Sequence, residues 1–284
     1  APVDGLKLNG QHCLIRNCWA VNNFGQGIAA NSSGVSNNVI EYNLSERNGV
    51  DSYDHGIYVS GPNNIIRNNV VRHNTGFGIH FYTGFSDSWQ NDNLIYNNLT
   101  YGHTNHYGAA VWSAVDASGL LPGTNHFFGN TILDGLQVSF GTVYVSNNII
   151  CPSPAHPLYN IRIQTATPPV LLNDYNLSTI SFNNDSGVIQ GAHDVITNQL
   201  GFVNTNSGLY WLTVGSPARN AALSTIAGPV NFFGAAQSSV TDIGAFQYDA
   251  NLDSAPLNAW VLDPSGTYPD YWWTNHFKVL SSNP

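Results

Sequence analysis

With 284 residues the chain is long enough for one extended domain, and charged residues make up only 9% of it. Eight Lys and Arg against seventeen Asp and Glu give a formal charge of −9, which excludes the basic stripe that a nucleic-acid surface needs. A hydrophobic fraction of 42% can fill a core and excludes disorder, while no run of about eighteen apolar residues exists to cross a membrane.

The first predicted element is strand-like GLKLNG at 5–10, with almost nothing before it to cover its edge. Residues 1–12 are therefore expected to form a first coil, with a cap, signal peptide or preceding domain outside the sequence, which contains no Met. A phrase then recurs: HCLIRNC (12–18), NNVIEYN (37–43), NNIIRNN (63–69), NDNLIYNN (91–98), HFFGNT (126–131), TVYVSNN (142–148) and LLNDYN (171–176). Aligned, these place Cys18, Asn43, Asn69, Asn98, Thr131, Asn148 and Asn176 in one column, at spacings of 25, 26, 29, 33, 17 and 28 residues. A second phrase runs in phase with it: QGIAAN, HGIYVS, FGIHFY, YGAAVW and DGLQVS. Each alternates over about five residues, the signal of a half-buried strand. Two such strands per coil cannot bury a face alone, so the coils must stack, and a parallel β-helix is predicted.

The asparagine column is expected at a corner, in left-handed backbone geometry, with each amide bonded to the next coil about 4.8 Å away. Cys18 and Thr131 fit a ladder end and a local variation. Of the sequons at Asn31, Asn43, Asn98, Asn176 and Asn184, the three in the column are expected to be buried. Cys13, Cys18 and Cys151 have no metal-site spacing and read as free thiols, the first two facing opposite ways by alternation.

Alternation in the second phrase puts Ile57, Val59, Ile79 and Phe81 inside. It puts Tyr58, His80, Tyr82 and Trp112 on one outer face, within about 10–15 Å. Asp51, Tyr53, Asp54 and His55 precede this strand on one coil, His73 on the next, and His103, His106 and Tyr107 on the one after. Six of the ten His lie between 55 and 126, which concentrates the chemistry in these coils. In the first phrase, Arg16, Glu41 and Arg67 form an outward charge ladder of small energetic weight, with Tyr96 next in the column.

After residue 160 the coils weaken through VLLNDYNL and GLYWLTV. GSPA, a Gly-rich interval and DIGAFQY then resemble the closing segment of secreted bacterial β-helix proteins of the pectate-lyase-like superfamily. The coils HGIYVSGPNNIIRNNVVRHNTGFGIHFYTG resemble the repeats of that superfamily. The resemblance covers most of 5–249 and implies an all-β, right-handed parallel β-helix there, outside the cytoplasm. Residues 250–284 hold Trp260, Trp272 and Trp273 and are expected to form an aromatic tail that packs on the solenoid or joins subunits.

The expected partner is an extended polysaccharide, and the expected reaction is β-elimination on a uronate polymer. That reaction needs a base, an acid for the leaving oxygen and a cation for the carboxylate. His80 or His55 would be the base and Tyr58 or Tyr82 the acid. Arg72 would offset the carboxylate, with Trp112, His106, Tyr107 and Asp51 along the substrate. Two other readings stay open: a glycoside hydrolase using paired Asp such as Asp51 and Asp54, and a non-catalytic glycan-binding or self-assembling module. Calcium could bind among Asp51, Asp54, Asp87 and Asp92, without a motif that compels it. The arginine-rich signatures of pectate lyases and the paired-aspartate signature of polygalacturonases are missing.

Overall fold

A computed structural model describes residues 3–83, 91–113, 123–139, 141–164, 170–185, 187–224, 232 and 241–248. There the chain winds into a solenoid of three parallel sheets. Each coil thus carries three strands, one more than the expected two. Sheet 1 holds the second phrase, as in Ile28–Ala30, Ile57–Val59, Ile79–Thr83 and Ala109–Ser113. Sheet 2 holds the first, as in Leu14–Arg16, Val39–Glu41, Ile65–Arg67 and Asn93–Tyr96. Sheet 3 is new: Trp19–Val21, Leu44–Glu46, Val70–Arg72 and Leu99–Tyr101 start directly after the column residue.

The reason lies in a five-residue unit used twice per coil: VIEYN–LSERN, IIRNN–VVRHN, LIYNN–LTYGH. Three residues extend, the fourth turns the chain in left-handed geometry, and the fifth points inward. The left-handed residues are Tyr42, Arg47, Asn68, His73, Asn97 and Gly102, with φ from 51° to 74°. Left-handed geometry therefore belongs to the residue before each ladder asparagine, not to the ladder asparagine itself.

The ladder runs Asn43–Asn69–Asn98–Asn130–Asn148–Asn176, each Nδ2 donating to the next Oδ1 at 2.9–3.1 Å. Cys18 ends it through its backbone N–H on Asn43. Thr131 is not a member: Gly129 takes the left-handed turn, Asn130 the ladder place, and Thr131 starts sheet 3 opposite Leu99. The sequon residues Asn43, Asn98 and Asn176 are fully buried in it.

Two further ladders stand at the other corners. Asn38, Asn64, Asn93 and Asn125 form one, with Cys13 at its end. Cys13 and Cys18 therefore occupy equivalent places and do not face opposite ways; each Sγ donates to the carbonyl two residues back. Asn23, Asn48 and Asn74 form the third. Its upper members are ionisable: His103 follows Asn74, and the backbone N–H of His103 donates to Asp134 Oδ2 at 2.8 Å.

Ile57, Val59, Ile79 and Phe81 lie inside, in one continuous core with Ile28, Ile40, Ile66 and Ile95. Among the described residues the last parallel strand is Val195–Ile196. GLYWLTV is not a coil: Leu209–Leu212 pairs antiparallel with Phe202–Asn204. This hairpin lies on the outside of sheet 3, where Leu209, Trp211 and Phe246 cover Leu44, Val70 and Leu99. The GSPA and DIGAFQY segments run beside it, Ala218 and Ile243 packing on Ile149 and Leu177. Apolar residues on the outer face of sheet 3 thus meet the chain's own later residues. The 250–284 tail lies outside the described residues.

Arg16, Glu41, Arg67 and Tyr96 share one register position on sheet 2. Their energetic weight is larger than expected for a surface ladder. Glu41 is wholly buried between the two guanidiniums, Arg67 Nε donates to it at 2.5 Å, and Arg67 Nη1 reaches Tyr96 Oη at 2.6 Å. The wholly buried carboxylate depends on these two part-exposed guanidiniums for the compensation of its charge.

Candidate functional site

The register on sheet 1 is the one expected: Tyr58, His80, Ala110 and Gln137 stack, and Tyr82 pairs with Trp112. The side chain of Trp112 lies outside the described residues. His80, however, is only 4% exposed, and so is His55. Rings enclose them: Tyr58 stacks on His80 at 5.3 Å, Phe77 lies 4.5 Å from His80, and His106 stacks on Phe77 at 4.3 Å. The backbone N–H of Phe77 donates to His55 Nδ1 at 3.0 Å, and His55 Nε2 lies 2.8 Å from His80 Nδ1. In the neutral pair, His55 Nε2–H thus donates a hydrogen bond to His80 Nδ1, and His80 carries its own hydrogen on Nε2.

Burial, then neighbouring imidazoles, pushes His55 down to about 3 and His80 well below the ordinary histidine range. Both are neutral near pH 7, and such weakly basic nitrogens make poor proton acceptors. The assignment of His80 or His55 as an exposed base is thereby corrected. The outward column is real, but aromatic neighbours seal it. Tyr58 and Tyr82 are half-buried above the pair, and burial raises the Tyr58 phenol. Tyr107 is buried against His156, stacked at 4.6 Å.

Asp54 is a turn cap. Its Oδ2 accepts the backbone N–H groups of Val50 and Asp51 at 2.9 and 3.2 Å, and Asp51 in turn caps Tyr53. Two carboxylates committed to backbone do not form the facing pair that hydrolysis uses. Among the described residues no three His, Cys, Asp or Glu side chains converge as metal ligands; Asp87 lies outside them.

Arg72 is not on sheet 1. It stands on the outer face of sheet 3, in register with Glu46 and Tyr101. Its guanidinium donates to Glu46 at 3.0 Å and to Tyr101 Oη at 2.8 Å, repeating five residues later the Glu41–Arg67–Tyr96 column. Beside it opens a cavity of about 450 Å³, between this face, the corner residues Arg47, His73 and Gly102, and Tyr210 of the outer hairpin. Arg47 is 42% exposed and touches Glu46 at 3.3 Å, so its guanidinium faces water as well. His73 is exposed and neutral near pH 7, held below its ordinary range by partial burial and by Arg72. Its ring meets the edge of Tyr101 at 5.3 Å. Burial raises the Tyr210 phenol, so it stays protonated and can donate.

Asp134 also lines the cavity, buried, and burial raises its carboxyl to about 6. An Asn there would continue the ladder without a charge. Raising the pH through about 6 ionises the folded protein at a site where the unfolded chain ionises near 3.8, so stability present at low pH is lost. Asp134→Asn is therefore expected to stabilise the protein by about 3 kcal/mol above that range and to change little below about pH 4. Urea titrations at the two pH values check this.

His73 was placed in the sequence among the histidines that precede the second-phrase strands, without a role of its own; Arg47, Asp134 and Tyr210 were not singled out as part of a site. The available signal was the third ladder, where asparagine gives way to His103 and Asp134 beside this cavity. Breaks in a local rule concentrate at functional places.

Residues 3–118 match the family model described as Right handed beta helix region. The crystal structure of pectate lyase Pel9A aligns with a TM-score of 0.54 at 16% identity, over 87% of this chain and 68% of that one. The chain is a right-handed parallel β-helix. In this β-helix the cavity lies on sheet 3 and the histidine pair on sheet 1. A search of curated proteins finds no match. No helix among the described residues is long and apolar enough to cross a membrane.

Proposed function

We propose that this right-handed β-helix is a secreted, carbohydrate-active protein that cleaves a uronate-containing polysaccharide by β-elimination in the sheet 3 cavity. One observation carries the reading: an exposed guanidinium, Arg47, and an exposed neutral imidazole, His73, occupy adjacent rungs at the mouth of a sugar-sized cavity. A pocket with converging ionisable groups and shifted acidities is where chemistry is expected.

The roles follow from charge and protonation. Arg47 pairs with the substrate carboxylate and offsets the negative charge that builds when the adjacent C–H loses its proton. His73 accepts that proton. The electron pair forms the new C=C bond as the C–O bond to the next sugar breaks, and Tyr210 gives its proton to the departing oxygen. Arg72 is occupied by Glu46 and Tyr101, so it shapes the floor. Glu46 and Asp134 stand three rungs apart, about 14 Å by strand spacing, which is wider than a hydrolase pair.

Incubation with a panel of uronate polymers, followed in the ultraviolet for the conjugated unsaturated uronate, tests this. Signal is expected, and His73→Ala should reduce it by about 10²-fold or more. New reducing ends without ultraviolet signal would indicate hydrolysis, and silence on every polymer would overturn the lyase reading.

A further inference from the structure

The corner between sheet 3 and sheet 1 presents one outward, left-handed residue per coil: Asn22, Arg47, His73 and Gly102, with φ of 57°, 51°, 53° and 74°. The backbone bonds repeat along it, Asn22 N–H to Glu46 O, Arg47 N–H to Arg72 O and His73 N–H to Tyr101 O. Three members carry side chains and the fourth carries none. A Cβ at Gly102 would lie 2.4 Å from His73 Nδ1 and 2.6 Å from its Cε1. The imidazole thus lies across the space a side chain at 102 would take, with Tyr101 against its edge.

We infer that Gly102 is a positioning residue: its missing side chain lets His73 lie across the next coil and point its ring into the cavity. Backbone geometry alone does not require glycine here, because Asn, Arg and His hold the same conformation in the coils below. Nor does a packed core require it, because what a Cβ would strike is the imidazole of an exposed side chain, which is held to the Gly102 backbone by a hydrogen bond and lies against Tyr101. What glycine uniquely supplies is the empty volume. Any side chain at 102 would lift the imidazole away from Tyr101 toward water and narrow the cavity mouth. This inference rests on the cavity being the reacting site only where it concerns turnover; the placement of the ring stands by itself.

The test is Gly102→Asn, with Gly102→Ala as the smaller change should the first fold poorly. Thermal unfolding is expected to stay close to the parent in Gly102→Asn and to fall by a few degrees in Gly102→Ala, which tolerates a φ of 74° less well. The His73 imidazole, followed by NMR titration in the full chain, is expected to move its midpoint upward as the ring gains solvent. Cleavage of an oligogalacturonate probe is expected to fall about tenfold or more, mainly in kcat. An unchanged His73 titration in both folded variants would overturn the inference. If the parent neither binds nor cleaves the probe but His73 still shifts in the variants, the lyase reading fails and the positioning role stands.

Discussion

Acidification from about pH 7 to about pH 4 is expected to unfold the β-helix, and buried histidines carry most of the loss. His55 and His103 are each 4% exposed, and burial first, neighbouring imidazoles second, holds each down to about 3. His80 shifts in the same direction for the same reasons. The folded protein keeps these rings neutral while the unfolded chain protonates them near 6.5. Stability is therefore complete above that value and falls steadily as the pH drops toward the folded pKa. At pH 4 this removes about 3–3.5 kcal/mol per isolated histidine, and about 4–5 once the pH reaches the folded value. Protonation of Asp134 over the same range returns about 3 kcal/mol, so it takes His55, His80 and His103 together to approach the whole stability of an ordinary domain. Coupling between His55 and His80 makes their shares inseparable.

The ring of His103 faces the backbone of Asn74 and Val71, the place an amide fills in the coils below. His103→Asn should therefore keep stability near neutral pH and move the acid midpoint downward. Denaturant titrations at several pH values, parent against variant, decide the matter. An acid profile that does not change in His103→Asn would show that its titration carries none of the effect.

The fold was legible because its repeats are written twice over. The Asn43, Asn69 and Asn98 column set the register, and that register correctly stacked Tyr58 over His80. Sheet 3 was not legible at the same level, although its phrases were present as LSERN, VVRHN and LTYGH. The long spacing of 17 to 33 residues masked a period of five. Thr131 slipped by one for a related reason: glycine replaced asparagine at the left-handed place, so the pair NN that marks the turn became GN.

The site was legible only in part. Alternation tells which way a side chain leaves its strand. It does not tell what later closes over that face. His80 leaves outward and is nonetheless buried among Tyr58, Phe77 and His55. The hairpin that completes the sheet 3 cavity comes from residues 202–212, more than a hundred positions after Arg72, and nothing local announces that it folds back there. A cavity made by such a return is a tertiary fact.

Within the ladder itself, Asn69→Ala is expected to cost about 4 kcal/mol. The Asn69 Oδ1 accepts both the backbone N–H and the side-chain N–H of Asn43, at 3.0 and 3.1 Å. Its Nδ2 donates to Ile40 O and to Asn98 Oδ1, at 2.9 and 3.0 Å. All four contacts are buried, so the groups left behind reach no water and lose their partners outright. Cys18→Ala offers the contrast. It sits at the ladder's end, gives only its backbone N–H to Asn43, and keeps that bond when the side chain is cut. Its cost should stay within about 0.5–1 kcal/mol. The double variant Asn43→Ala/Asn69→Ala should cost less than the two single changes together, because each single change already breaks the bonds they share. Equilibrium unfolding of the parent, the three single variants Asn43→Ala, Asn69→Ala and Cys18→Ala, and the double variant measures these differences. Equal costs for Asn69→Ala and Cys18→Ala would mean that strand pairing alone holds the coils in register.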